Sequence, residues 1–303
     1  MLSELPAVGE RRAARIAAAA SARGVRLLDL FALPAQVLAR DYQLPLRAVA
    51  CLGAARARFE AHCRHLLACL RAGSGAVCQP GDAAYPDRWL ARARPVPPIV
   101  YVHGNPAIQH RPTFAILSSR GLTQRSVSAC IQVIQYAAEA GLTLVTSGMK
   151  GTYRVAAVAG RAAGVPRIVV LDRGLLAAFG AHMDRDPFGF GPGRAAFDRE
   201  RTLVMSPYRL ADHAVPRNGA RRDELVAALA DVIVATSVRP GGTMERVCLE
   251  ALDRGQCVLS WHGDHDGLLA AGATPIDETD LRTDLVRLIV TGSKAEDAKR
   301  KAR

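Results

Sequence analysis

Three short stretches of this chain bring hydroxyls, glycines and cations together in the way that binds phosphate. "TFAILSSRGLT" ends an apolar run on Ser118, Ser119 and Arg120, and Thr123 follows as a helix cap. "LTLVTSGMKGTYRVAA" ends on Ser147, Gly148, Lys150 and Gly151, and "VATSVRPGGTMERV" on Gly241, Gly242 and Thr243. Hydroxyls, a guanidinium and free backbone N–H groups ahead of a helix make an anion cradle. Glycine lets the backbone approach the ligand, and Lys150 adds charge. Each loop alone is ordinary turn and cap chemistry. Three of them at strand ends of one sheet point to a phosphate-bearing ligand.

The elements that must position these loops follow from the texture of the chain. From Pro97 onward, β-branched runs alternate with helical stretches: "PIVYVHG", "TFAILSS", "LTLVTSG", "RIVVLDRG", "TLVMSP", "DVIVATS" and "CVLSW". That order predicts parallel strands joined by crossover helices, hence a Rossmann-like, doubly wound α/β domain with a mostly parallel sheet. Such sheets bind ligands outside the carboxyl ends of their strands. Residues 1–75 are rich in Ala, Leu and Arg at helical spacing and predict a small all-helical domain, followed by the Gly/Pro-punctuated "AGSGAVCQPGDAAYP". The α/β domain is expected over 76–280 and a basic, disordered tail over 281–303.

Composition narrows the partner. The chain has 303 residues, half of them hydrophobic, a formal charge of +12 and a pI near 9.9, which favours a polyanion. Aromatic residues make up only 5%, so base stacking is expected to be a minor term. Seven cysteines without a CxxC pair fit a reducing, cytoplasmic compartment. There is no apolar run long enough for a bilayer, and "MLSELPAVGERR" lacks the order of a secretory signal, so no membrane association is expected. "AHCRHLLAC" groups His62, Cys63, His65 and Cys69, but on a helix they do not share one face in a tetrahedral arrangement. A packed or exposed helix is expected there, with no metal, and no cofactor is expected elsewhere.

The order of motifs resembles the DNA-processing protein A (DprA/Smf) family over roughly residues 85–275. "YPDRWLARARPVPPIVYVHGN" is similar to the segment opening that family's core, and "AILSSRGLT" to its A-I-V-G-S-R-x-x-T, with Ser118 in place of Gly. "LVTSGMKGTYRVAA" resembles V-S-G-x-A-x-G-I-D-x-x-A-H without the Gly-Ile-Asp and His. "RDELVAALADVIVAT" follows R-N-R-I-I-A-G-L-S-D-x-V-L-V-V-E, with Asp223 in place of Asn. "ELPAVGERRAARIAAAA" resembles one helix-hairpin-helix motif, L-P-G-V-G-x-x-x-A-x-x-I, retaining Gly9 but with Ala7 for the first glycine. In that motif the turn aims N–H groups at a phosphate, and Arg11, Arg12 and Arg15 would add charge.

The resemblance implies a non-enzymatic, homodimeric, cytoplasmic protein that binds single-stranded DNA, protects it and helps load the RecA recombinase, as in natural transformation. Arg120, Lys150 and Arg222 would neutralise phosphates, and the Ser147–Gly148 and Gly241–Thr243 backbones would position the strand. Two alternatives stay open. "PGGTMER" also resembles the P-G-G-x-G-T-x-x-E loop of cytokinin-activating phosphoribohydrolases, where Glu245 would act in N-glycoside cleavage. The same three loops would equally serve a nucleotide sensor.

Overall fold

The computed structural model describes residues 4–26, 29–53, 55–119, 121–148, 151–180, 183–188, 195–261 and 265–277. In chain order the elements are α1 (Glu10–Ala22), α2 (Ala35–Asp41), α3 (Leu46–Leu52), α4 (Arg56–Ala72), β1 (Gly75–Cys78), α5 (Asp87–Arg92), β2 (Val100–Gly104), β3 (Thr113–Ser118), α6 (Gln124–Glu139) and β4 (Thr143–Thr146). They continue with α7 (Thr152–Ala162), β5 (Arg167–Val170), α8 (Leu175–Phe179), β6 (Thr202–Ser206), α9 (Pro216–Leu229), β7 (Val232–Ser237), α10 (Thr243–Asp253), β8 (Cys257–Trp261), α11 (Asp266–Ala270) and β9 (Thr274–Ile276). They form two compact units. The first takes residues 1–103, 172–184 and 205–215, and the second 104–171, 185–204 and 216–303. The compositional break near residue 75 falls inside the first unit, and the expected tail at 281–303 lies outside the described residues.

In the first unit the helices close around a core that includes Leu5, Ile16, Leu30, Leu38, Ala48 and Phe59. α1 contributes Ala13, Ile16 and Ala20, spaced three and four apart on one face. α4 buries Phe59, Cys63, Leu66 and Leu70 on the same principle. β1 and β2 pair antiparallel, from Gly75 opposite His103 to Cys78 opposite Val100. The helix over "AHCRHLLAC" forms as expected, and no metal-holding group of His, Cys, Asp or Glu occurs among the described residues. No described helix is long and apolar enough to cross a membrane.

The second unit is the α/β fold that the strand runs predict. Its strand order is β6-β5-β4-β3-β7-β8-β9, and the neighbours from β5 to β9 are all parallel. All six residues of β3 are buried, as expected for a strand covered on both faces. α6 and α7 pack together over β3, β4 and β7, and α9 and α10 pack together over β3, β4, β5 and β8. From β3 the chain proceeds outward through β4 to β5, and from β7 outward in the other direction through β8 to β9. The order therefore reverses between β3 and β7, where the loops after the two strands lead to different helices, the position at which open α/β sheets bind ligands.

Candidate nucleic-acid interface

All three phosphate-cradle stretches of the sequence end on the adjacent strands β4, β3 and β7, at this reversal. After β3, Ser118 and Ser119 turn towards β7. The Ser118 hydroxyl donates to the Ser237 carbonyl at 3.2 Å, the Ser119 N–H donates to the same carbonyl at 2.7 Å, and the Ser119 Oγ accepts from the Arg239 N–H at 2.8 Å. The two serines thus stitch one loop to the other. Between Leu117 and Ser118 the register shifts, so that Thr236 is the extra residue of β7. A bulge of this kind re-aims a side chain at the end of a strand. Thr123 caps α6 as expected, in a capping box with Ser126 (3.0 and 3.1 Å).

The loop after β7 is a type II turn on Arg239-Pro240-Gly241-Gly242. The Gly242 N–H returns to the Arg239 carbonyl at 3.1 Å, proline fixes the first central position, and Gly241 stands at φ +69°. A side chain on Gly242 would put its Cβ 2.9 Å from the Arg239 carbonyl oxygen, and the positive φ of Gly241 favours glycine there, so geometry favours both glycines. Gly242 then caps α10 through its backbone, with Thr243 exposed at the first helical position. The Glu245 carboxylate accepts from the Gly241 N–H at 2.6 Å, the N3-to-turn half of a capping box. From the other side, the buried His265 ring accepts the Val238 N–H on Nε2 at 2.8 Å while its Nδ1 meets the Ser260 hydroxyl at 2.9 Å. His265 is thus a positioning residue for this loop.

Among the described residues, three hydroxyls at this end of the sheet are buried without a partner: Ser147 at the end of β4, Thr152 in the first turn of α7 and Thr236 at the bulge. A buried hydroxyl left unpaired costs about 1–3 kcal/mol, which a ligand oxygen would recover. Gly148 lies against the Phe188 ring, where a Cβ would meet Cδ1 at 2.1 Å. Gly151 caps α7 at φ +75°. Arg120 and Lys150 lie outside the described residues.

Arg222 is turned inward beside this face, over Tyr153 in the first turn of α7. It is 9% exposed; its Nε and Nη2 donate to Asp223 at 2.9 and 2.8 Å, and its guanidinium lies 5.2 Å from the Tyr153 ring centre. Tyr153 also donates to Asp223 at 3.0 Å, and burial together with the Asp223 charge pushes its hydroxyl well above the ordinary tyrosine pKa. Removing Arg222 would strand a buried carboxylate at a cost of about 3–5 kcal/mol, so its role is to hold α9 to α7.

Arg239 is the cation that sequence reasoning passed over. It is exposed, its guanidinium bonds to no described residue, and it stands two residues before the paired glycines. That spacing was the available signal. In the first unit, Gly9 caps α1 with nothing within 4 Å of a would-be Cβ, Arg11 and Arg15 are exposed, and Arg12 donates to the Ala7 carbonyl at 2.5 Å.

The chain superimposes on DNA processing protein A from Streptococcus pneumoniae with a TM-score of 0.67 at 18% identity, covering 92% of this chain and 94% of that one. It also matches DNA processing protein A from Helicobacter pylori, a structure describing that protein's single-stranded DNA binding mode. Here the TM-score is 0.56 at 16% identity, over 70% of this chain and 96% of that one. Comparison with curated protein sequences returned no match. The profile of one family, DNA recombination-mediator protein A, matches residues 76–278, two-thirds of the sequence, and with that match the chain belongs to this family.

Proposed function

We propose that this protein binds single-stranded DNA across the carboxyl ends of β4, β3 and β7 and, as a cytoplasmic homodimer, presents the strand to the RecA recombinase. The observation that carries the reading is the set of unpaired hydroxyls Ser147, Thr152 and Thr236 beside the Gly241–Gly242 turn, at the point where the strand order reverses. Membership in a recombination-mediator family and the likeness to the Helicobacter pylori protein support DNA as the ligand. Phosphates are met by backbone N–H groups, these hydroxyls and the cations Arg120, Lys150 and Arg239, with Gly9 and Arg11 adding contacts at α1. Such binding is electrostatic, tolerant of sequence and steeply salt-dependent.

The protein acts here as a binder. A glycoside hydrolase would need the Glu245 carboxylate turned to the sugar, whereas the Gly241 N–H holds it in the turn. The test is fluorescence anisotropy with a labelled dT oligomer and with nucleoside monophosphates at two salt concentrations, alongside chromatography for free base. Tight, salt-sensitive dT binding without base release is expected. Release of base that disappears in Glu245→Gln would establish the hydrolase instead, and tighter binding of a mononucleotide than of dT would establish a sensor.

A further inference from the structure

The longest helix of the first unit carries a surface that the strand-end site does not use. The buried residues Phe59, Cys63, Leu66 and Leu70 fix which side of α4 faces the core. At 3.6 residues per turn the opposite side has Ala57, Ala61 and Ala68 down its middle. Arg64 and Arg71 border these alanines on one edge, and Arg58, His62 and His65 on the other; all eight residues are exposed. Arg58, Arg64 and Arg71 make no hydrogen bond or ion pair with the described residues. The helix's one carboxylate, Glu60, is taken by Arg56 at 2.8 Å.

A helix face kept merely for solubility mixes signs, because i,i+4 pairs of opposite charge stabilise it and like pairs destabilise it. Here the free charge is of one sign and lies in two rows about 120° apart around the helix, Arg64 and Arg71 in one and Arg58 in the other. Two rows flanking a strip of methyl groups match a ligand with two ribbons of phosphate. The major groove of B-DNA is about 12 Å wide, admits one helix and has phosphates on both walls. A single strand has one ribbon and would leave one row idle.

We infer that α4 is a second DNA site, distinct from the strand-end face, which takes duplex DNA in the major groove. Arg64 and Arg71 meet one phosphate wall, and Arg58, with His62 beside it, meets the other; His65 is engaged by the Cys69 thiol at 3.8 Å. The 17-residue helix is long enough, at about 25 Å, to follow roughly seven base pairs. The alanines allow close approach without reading a sequence. This goes beyond the single-strand function proposed above.

The experiment uses the full-length protein, a labelled 20-base-pair blunt duplex and a labelled dT oligomer. Replacing Arg58, Arg64 and Arg71 together by Gln should weaken duplex binding at least tenfold and reduce the salt slope by about 2.7. Affinity for dT should stay within twofold, and the circular dichroism spectrum should not change. Ala61→Glu, which keeps every arginine and a strong helix former, should weaken duplex binding selectively as well. A wild-type protein that does not bind the duplex, a triple variant with unchanged duplex affinity, or equal losses on both probes would overturn the inference. Selective loss of duplex binding in a protein that never binds dT would leave it standing and remove the single-strand proposal instead.

Discussion

Two turns of the same type stand at the entrances of two helices, one in each unit, and they are built differently. Leu5-Pro6-Ala7-Val8 leads into α1, with the Val8 N–H returning to the Leu5 carbonyl at 3.1 Å and Ala7 at φ 60°. Arg239-Pro240-Gly241-Gly242 leads into α10 with the same bond and the same sign of φ. The second turn has glycine where the backbone needs it and keeps its arginine free in solvent. In the first, an alanine is in a conformation that costs about 1–2 kcal/mol, and Arg12 is folded back onto the Ala7 carbonyl. The same hydrogen bond and the same sign of φ thus leave one turn open beside an exposed arginine and make of the other a corner held by its own arginine. The dominant contact should therefore lie in the second unit.

The largest effect is expected from Gly241→Val. A β-branched residue at φ +69° is strained by about 1–3 kcal/mol, and the turn cannot keep its shape. Binding of a dT oligomer should weaken by at least about tenfold, or about 1.4 kcal/mol. An unchanged affinity would show that the turn is not the cradle. Arg239→Ala should come next, with a several-fold loss and no change in melting temperature. If it instead lowers the melting temperature, its guanidinium is structural and the contrast with Arg12 fails.

These residues also mark how far the sequence could be read. All seven quoted runs are strands, because buried strands are continuous β-branched and apolar segments that need no tertiary information to recognise, although the first, β2, pairs antiparallel with β1 rather than in the parallel order expected. β1 and β9 were not legible. Each is very short: β1 begins on a glycine and carries the exposed Val77, and β9 has Pro275 at its centre, so pairing with a neighbour rather than composition makes them strands. The strand-end loops were readable from their small and hydroxylic residues. Arg221 and Arg222 look equivalent in sequence, and only the packing of α9 turns Arg222 inward to Asp223 and Tyr153. His265 was invisible because it acts on Val238 from 27 residues away.

Smaller effects belong to the first turn. Ala7→Gly should relieve the left-handed alanine and stabilise the first unit by about 1 kcal/mol, seen as a rise of about 2–4 °C in melting temperature. Affinity for dT should remain within twofold. A large gain in affinity would mean that the alanine methyl had been blocking a phosphate and that the two turns are equivalent in function. Arg12→Ala should change dT binding least of all, by less than about twofold, because its guanidinium already has a partner; anisotropy on the same probe would detect a larger change.

The measurement that bears most directly on the strand-end site is the salt dependence of dT binding by the wild-type protein and by Arg239→Ala. Each neutralised phosphate contributes about −0.7 to the slope of log affinity against log salt for a single strand. The account predicts a steep slope for the wild type that becomes shallower by about 0.7 when Arg239 is removed. An affinity independent of salt, or a slope identical in the two proteins, would contradict it.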